Sequence, residues 1–251
     1  EYQNTHDKDF ADGVHDVASG IEGSSHADRL NIVVSEYNNH HLGTDWEPRN
    51  DLGHAMVNFD MTGQLISHEK VEFANQWATR YLNDQDDEKL NANPGWYALG
   101  KNNELLPSGR SLSIWGEFLK SQMVEANGPK GTKCYATRDP ANGELSLFVI
   151  NKTAKPKQFR IEAMGTEGFK RVQTHEFFGN SDRDLNPVWQ EGESLKMNGN
   201  NSISSFKIKP YSISVLNFTS TKLDLPGKKG VCFTLRTEPK NGKPADAEAN
   251  L

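Results

Sequence analysis

Leu30-Asn31-Ile32-Val33-Val34 runs directly into Ser35-Glu36-Tyr37-Asn38-Asn39-His40-His41. A short continuous apolar run of this kind is expected of a strand buried on both faces, and here a carboxylate follows at its C-terminal end. Parallel βα-barrels hold reacting groups at that position, because the rigid strand fixes the side chain while the following loop admits a ligand. Spacing alone leaves two readings open. Glu36 is either a chemically active carboxylate or simply the first solvated residue after a strand.

Working outward, the first half of the chain alternates between helical and strand-like patterns. Val14, Val17, Ala18 and Ile21 fall at i, i+3, i+4 and i+7, one stripe of an amphipathic helix. Leu52, Ala55, Met56 and Phe59 form a second stripe, with Asn50 or Asp51 available as N-cap. Val71, Phe73 and Trp77 suggest another strand, and Leu112, Trp115, Phe118, Leu119 and Met123 a third helix. Strand, helix, strand and helix in that order predict βα units around a parallel sheet. Glu117 and Glu125 are expected on the solvated face of the third helix, and His54 and His68 at helix surfaces or caps.

Asn127-Gly-Pro-Lys-Gly131 has the composition of a linker, and after it the period drops to two. Residues 134–137 and 145–150 flank Asp-Pro-Ala-Asn-Gly and read as a β-hairpin. Residues 159–163, 169–177, 204–209 and 212–218 continue as short strands separated by Gly, Asn and Pro, which predicts an antiparallel β-sandwich. One further strand is possible at 231–235, within a region that reads as a tail or the start of another module. The expected organisation is therefore 1–126, an α/β portion; 127–221, an all-β sandwich; and 222–251, the tail or module.

Composition narrows the function. The 251 residues carry 28 Lys+Arg against 34 Asp+Glu, a net charge of −6. Without a basic cluster there is no footprint for nucleic acid, and no window approaches the ~20 apolar residues of a membrane-spanning helix. Twelve Phe, six Tyr and five Trp are too many for a disordered chain. Residue 1 is Glu with no apolar leader behind it, so the chain is expected to begin after a signal peptide or inside a longer product. Cys134 and Cys232 are compatible with one long-range disulfide or with two inert thiols. Asn151, Asn200 and Asn217 stand in Asn-x-Ser/Thr sequons, a pattern compatible with secretion. Serine-hydrolase elbows, HExxH, phosphate-binding loops and GxGxxG are all absent from the sequence. Seven of the eight His and three of the five Trp lie in the first 96 residues, which places any site there.

Ser35-Glu36-Tyr37-Asn38 after a hydrophobic strand resembles the nucleophile segment of retaining glycoside hydrolases of the large (β/α)₈ clan, the α-L-arabinofuranosidases, β-xylosidases and β-agarases/porphyranases among them. The nucleophile glutamate of that clan ends the seventh barrel strand. A helix follows it, here 50–66, then an eighth strand bearing an aromatic, here 71–77, a last helix, here 111–125, and a C-terminal β-sandwich. Residues 1–220 keep this order. Gly179-Asn180-Ser181-Asp182 through Asn186-Pro187-Val188-Trp189 is similar to a sandwich loop of such enzymes, and Pro210-Tyr211-Ser212-Ile213-Ser214-Val215-Leu216 to their closing strand.

The resemblance implies a fold, the last βα units of a TIM-type barrel followed by an antiparallel β-sandwich, and a set of roles. Glu36 would be the nucleophile, oriented by a hydrogen bond from Tyr2 at the end of the sixth strand. Trp77 would be the sugar-stacking platform, competing with a role in the core. Trp46 would line a neighbouring subsite or anchor a loop, and Asn38, His40 and His41 would bond sugar hydroxyls. Adjacent histidines on an extended segment point apart, so no metal is expected there, and the chemistry needs no cofactor. The chain departs from the pattern at one point. Retaining hydrolysis uses two carboxyls ~5–5.5 Å apart, and the strand that carries the acid/base is missing, since a barrel takes ~250 residues. The expected partners are an oligo- or polysaccharide of plant or algal origin and the missing N-terminal barrel portion, in a secreted or periplasmic setting. The rival expectation is a non-catalytic carbohydrate-binding protein using an exposed strip of Tyr135, Phe178 and Trp189.

Overall fold

The computed structural model describes residues 12–38, 49–80, 97–129, 131–164, 169–198, 202–220 and 232–237. They divide into two compact units, Glu1–Glu117 with Gly179–Pro187, and Phe118–Phe178 with Val188–Leu251. Most of the described secondary structure is β, with few helices.

The first unit contains α1 (Asp12–Glu22), β1 (Ile32–Tyr37), α2 (Leu52–Ser67), β2 (Val71–Gln76) and α3 (Pro107–Phe118, its last residue falling in the second unit). Strands β1 and β2 pair in parallel, with α2 as the crossover between them. Helix α2 starts at Asp51, whose carboxylate accepts from the His54 N–H at 2.9 Å. Its first amides are satisfied from far along the chain: Leu52 N–H donates to the carbonyl of Asp184 and Gly53 N–H to that of Asp182. The expected surface position of His54 is corrected, because its Nδ1 lies 2.8 Å from Asp51 Oδ1 and both side chains are buried. His68 does cap the helix C-terminus.

Almost every residue of α2 from Leu52 to Leu65 is buried. Phe59 stacks on Trp115 of α3 with centroids 4.5 Å apart, and the Trp115 indole donates to the Phe59 carbonyl at 3.0 Å. Asn58 reaches the Ser108 carbonyl and Ser111 Oγ, and Asn50 accepts from Ser108 N–H at 2.9 Å, within the first turn of α3. Gly109 lies so close to this packing that an added Cβ would meet the Ala98 carbonyl oxygen at 1.9 Å. The expected helix over 111–125 ends at Phe118, and Met123 and Glu125 lie on a strand instead. A stripe of apolar residues cannot distinguish these outcomes once the chain changes direction, at Leu119–Ser121.

The second unit contains β3 (Gln122–Asn127), β4 (Lys133–Asp139), β5 (Glu144–Asn151), β6 (Lys157–Met164), β7 (Phe169–Phe178), β8 (Val188–Glu191), β9 (Leu195–Lys196), β10 (Ser202–Ile208), β11 (Ser212–Ser220) and β12 (Cys232–Thr237). They form one ten-stranded sheet in the order β10-β6-β12-β3-β4-β5-β11-β7-β8, with β9 also on β7. The predicted hairpin is β4–β5, antiparallel from Lys133↔Ile150 to Asp139↔Glu144. Three expectations change. Strand β3 pairs with β4 through Gln122–Val124 and with β12, in parallel, through Glu125–Asn127, so the sheet is not wholly antiparallel. The strand read at 231–235 forms as β12, and it lies inside this sheet rather than in a separate tail or module, with Phe233 and Leu235 buried. The presumed closing strand, β11, is central between β5 and β7.

The sheet curls around one core that draws Leu145, Leu147 and Val149 from β5, Leu216 and Phe218 from β11, Phe159 and Ile161 from β6, and Phe206 and Ile208 from β10. Strand β5 is buried on both faces, which explains its continuous apolar run. Of the sequons, Asn151 is fully buried and its amide donates to the carbonyls of Lys155 and Lys209, which leaves no room for a glycan. Both cysteines are free thiols. Burial pushes the Cys134 thiol up to about 12 from an ordinary 9.0.

A raised folded-state value means that only the unfolded chain loses this proton between the two values, so stability is intact below pH 9.0 and falls as pH rises toward about 12. Alkaline denaturation monitored by circular dichroism should therefore steepen across that window, and Cys134→Ala should flatten it. Phe218→Ala should cost about 3–5 kcal/mol in denaturant unfolding, the range for emptying a fully buried aromatic site.

Candidate functional site

Three of the residues that the sequence singles out, Glu36, Asn38 and Trp77, lie at or just beyond the C-terminal ends of β1 and β2. The ladder runs Ile32↔Val71, Val33↔Phe73, Val34↔Ala74 and Tyr37↔Gln76, with register shifts between the first and last of these steps. Between Val34 and Tyr37, β1 advances three residues while β2 advances two. That is the count of a β-bulge, which re-aims side chains. Its effect is visible in the burial pattern. Ile32 and Val34 are partly buried and Val33 and Ser35 exposed, as alternation requires; then Glu36 is exposed as well, and Tyr37 is buried. The extra residue turns the carboxylate away from the face that carries Tyr37.

Tyr37 anchors the arrangement. Its hydroxyl pairs with Thr62 Oγ1 on α2 at 2.8 Å, and Thr62 in turn donates to the Asn58 carbonyl. Desolvation by burial raises the Tyr37 phenol above its ordinary value, partly offset by the Thr62 bond. Trp77 follows β2 directly, and its N–H donates to the Tyr37 carbonyl at 2.8 Å. The main chains bearing Glu36 and Trp77 are thus neighbours across one ladder. Trp77 is half-buried, and the Trp77–Ala78 peptide is cis. Asn38, half-buried, continues β1 beyond Tyr37. Tyr2, His40, His41 and Trp46 lie outside the described residues.

Glu36 faces solvent in this chain, and so does the sheet face beneath it. Val33 is 49% exposed and Phe73, its ladder partner, 51%. The expectation of a strand buried on both faces is corrected accordingly: one face packs and the other is open. Glu36 is the carboxylate at these strand ends, and β2 ends in Asn75-Gln76 with no second acid to pair with it. Among the described residues no group of three or more His, Cys, Asp or Glu could hold a metal ion.

The aromatic strip expected by the rival reading does not form. Tyr135 is buried, Phe178 is covered by the Lys209 ammonium 3.3 Å from its ring centroid, and Trp189 stacks on His175 at 5.6 Å. Sequence reasoning also missed the role of residues 179–187, which close the N-terminus of α2. Arg183 lies 3.5 Å from Asp51, and Asp184 holds its own loop by accepting from Asn180 N–H and Asn186 N–H. Nothing local in those residues signals a partner 130 positions away.

No family model and no curated protein matches the sequence. Solved structures do. The chain is similar to the family 51 α-L-arabinofuranosidase of Thermotoga petrophila, with a TM-score of 0.63 and 15% identity over 83% of this chain and 47% of that one. It is similar to the α-L-arabinofuranosidase of Thermotoga maritima, solved with arabinose, with a TM-score of 0.65 and 15% identity over 86% and 50%. A family 30 endoxylanase of Clostridium papyrosolvens gives 0.52 and 10% over 77% and 43%. The fold is part of a glycoside hydrolase fold. The chain spans about half the length of the arabinofuranosidases it matches.

Tyr37→Phe removes the bond to Thr62 while keeping the ring, and should lower stability by about 0.5–1.5 kcal/mol, the net worth of one neutral hydrogen bond. Urea denaturation measures this. Asp51→Ala removes both the cap and the bond to the buried His54 ring, and should cost more than the ~1 kcal/mol of a cap alone.

Proposed function

We propose that this chain carries the nucleophile segment of a retaining glycoside hydrolase acting on a plant or algal polysaccharide, outside the cytoplasm or in the periplasm. In this reading β1, α2, β2 and α3 are the last units of a (β/α)₈ barrel, and the curled ten-stranded sheet is its appended β-sandwich. The single observation that carries it is the bulge between Val34 and Tyr37, which exposes Glu36 at the C-terminal end of a parallel strand, beside the residue that Trp77 bonds.

The chemistry follows from what the residues can do. Glu36, ionised, attacks the anomeric carbon and forms a glycosyl ester; a second carboxyl protonates the leaving oxygen and then takes a proton from the water that hydrolyses the ester. Trp77 offers an aromatic face to the C–H face of a pyranose or furanose ring, and Asn38, His40 and His41 offer bonds to its hydroxyls. Tyr2 is the proposed orienting donor to Glu36, and Trp46 the wall of an adjoining subsite. Among the described residues no second carboxyl stands at these strand ends, and in this reading the acid/base belongs to the missing barrel portion. The same portion would cover Val33 and Phe73, since parallel sheets are stable with both faces covered. The chain alone is expected to be inactive.

The test is Glu36→Gln in the protein that includes the upstream barrel strands, assayed on aryl glycosides and on polymeric substrate. Turnover should fall by at least about 10⁴-fold, and in Glu36→Ala, which leaves room for it, azide should restore release of the aryl alcohol with the sugar captured as a glycosyl azide. The expected scale is that of losing a covalent nucleophile. Near-parental turnover in that variant would remove Glu36 from the reaction.

A further inference from the structure

The ten-stranded sheet ends in β8 on one side and β10 on the other. A cleft of about 690 Å³ opens between residues of these two ends. Its lining carries both signs: Glu176, Glu191 and Glu193 bring carboxylates, and Lys207 and Lys209 bring ammonium groups. Gln190 and Ser205 add groups that both donate and accept, while Leu195 supplies an apolar part. We propose that this cleft is a second, non-catalytic binding site for a short, neutral oligosaccharide.

The charge pattern selects the ligand class. Carboxylates only accept and ammonium groups only donate. An anionic ligand would confront three carboxylates against two lysines, one of which, Lys209, is already paired with Glu176. An apolar ligand would bury several charges unpaired, which is costly. A hydroxyl both donates and accepts, so a chain of hydroxyls satisfies both signs without a net charge of its own. The volume lies within the ~300–1,000 Å³ of small-ligand sites. A saccharide C–H face matches the partly exposed Leu195 side chain.

The cleft is also set before any ligand arrives. Gly192 N–H donates to the Thr174 carbonyl at 2.8 Å, Thr174 Oγ1 to the Glu193 carbonyl at 2.7 Å, and Gln173 Nε2 to the Gly192 carbonyl at 3.1 Å. Ser194 Oγ in turn donates to Gln173 Oε1 at 2.7 Å. Gly192 is required here, because a Cβ would approach Thr174 Oγ1 at 2.4 Å. Across the cleft, Lys209 is held by Glu176 at 2.8 Å and by the Phe178 ring. A rim fixed in this way loses little conformational freedom on binding. The site lies wholly within the second unit and does not depend on the role of Glu36.

The test is calorimetric titration of the 251-residue chain with xylohexaose, cellohexaose and tri-galacturonic acid. At least one neutral hexaose should bind saturably, and tri-galacturonic acid more weakly or not at all. Gln190→Ala with Glu191→Ala, both exposed positions, should weaken binding by about tenfold or more with an unchanged melting temperature, the scale of one or two lost hydrogen bonds to charged groups. Glu36→Gln should bind like the parent. The proposal is overturned by an absence of saturable binding, by tighter binding of the acidic trisaccharide, or by unchanged affinity in the double variant. Loss of binding in Trp77→Ala but not in the double variant would also overturn it, and would locate the sugar at β1–β2.

Discussion

One register shift governs the first unit. Between Val34 and Tyr37 the main chain of β1 gains a residue on β2, and that surplus sends Glu36 and Tyr37 to opposite fates. In a regular strand the side-chain period of two would carry both flanking apolar residues and the acid in strict alternation. Glu36 would then share the face of Ile32 and Val34, where an ionised carboxylate meets a desolvation cost, and Tyr37 would lose Thr62. The Tyr37–Thr62 bond holds the shift in place from the buried side, and the bond from Trp77 N–H to the Tyr37 carbonyl holds it from the neighbouring strand. Chemistry at this point would be inherited from backbone bookkeeping rather than from any special property of the acid.

Helix α2 supports that ladder and is itself supported on all sides. A helix buried around its circumference must satisfy its polar groups internally or from distant segments. Here Asp51 and the carbonyls of Asp182 and Asp184 take the first-turn amides, and Asn58 ties the middle to α3. The polar residues in this helix are therefore part of the packing. His54 and Asn58 bind through specific bonds where a hydrophobic pattern alone would have placed them at the surface.

The sequence made several of these features legible for identifiable reasons. The βαβ order was readable because Ile32–Val34 and the Leu52–Phe59 stripe have different periods, and Asp51 has the chemistry of a cap. The β4–β5 hairpin was readable because Asp139-Pro140-Ala141-Asn142-Gly143 concentrates turn formers between two apolar runs. Glu36 could be singled out by position, but its exposure could not, since a bulge leaves no mark in residue types. Strand β3 was hidden because Met123 and Val124 continue the spacing of the preceding helix. Strand β12 was readable at 231–235, but its place inside the sheet was not, because its neighbours in sequence are rich in Lys, Pro and Gly and the partners that make Phe233 a core residue are remote. The same remoteness concealed residues 179–187.

The parallel pairing of β3 with β12 joins the first strand of the second unit to its last. More than a hundred residues separate them, Asn127 from Cys232. During synthesis on the ribosome, Phe233 and Leu235 emerge after every other described strand of this unit, so β6 and β3 wait with facing edges until β12 arrives to fill the gap between them. Closure of so long a loop adds little equilibrium penalty, because its entropy grows with the logarithm of length. It does impose an order of events: β12 is made last among the described strands of this unit, and until it arrives the nascent chain carries two unsatisfied strand edges, prone to wrong pairing.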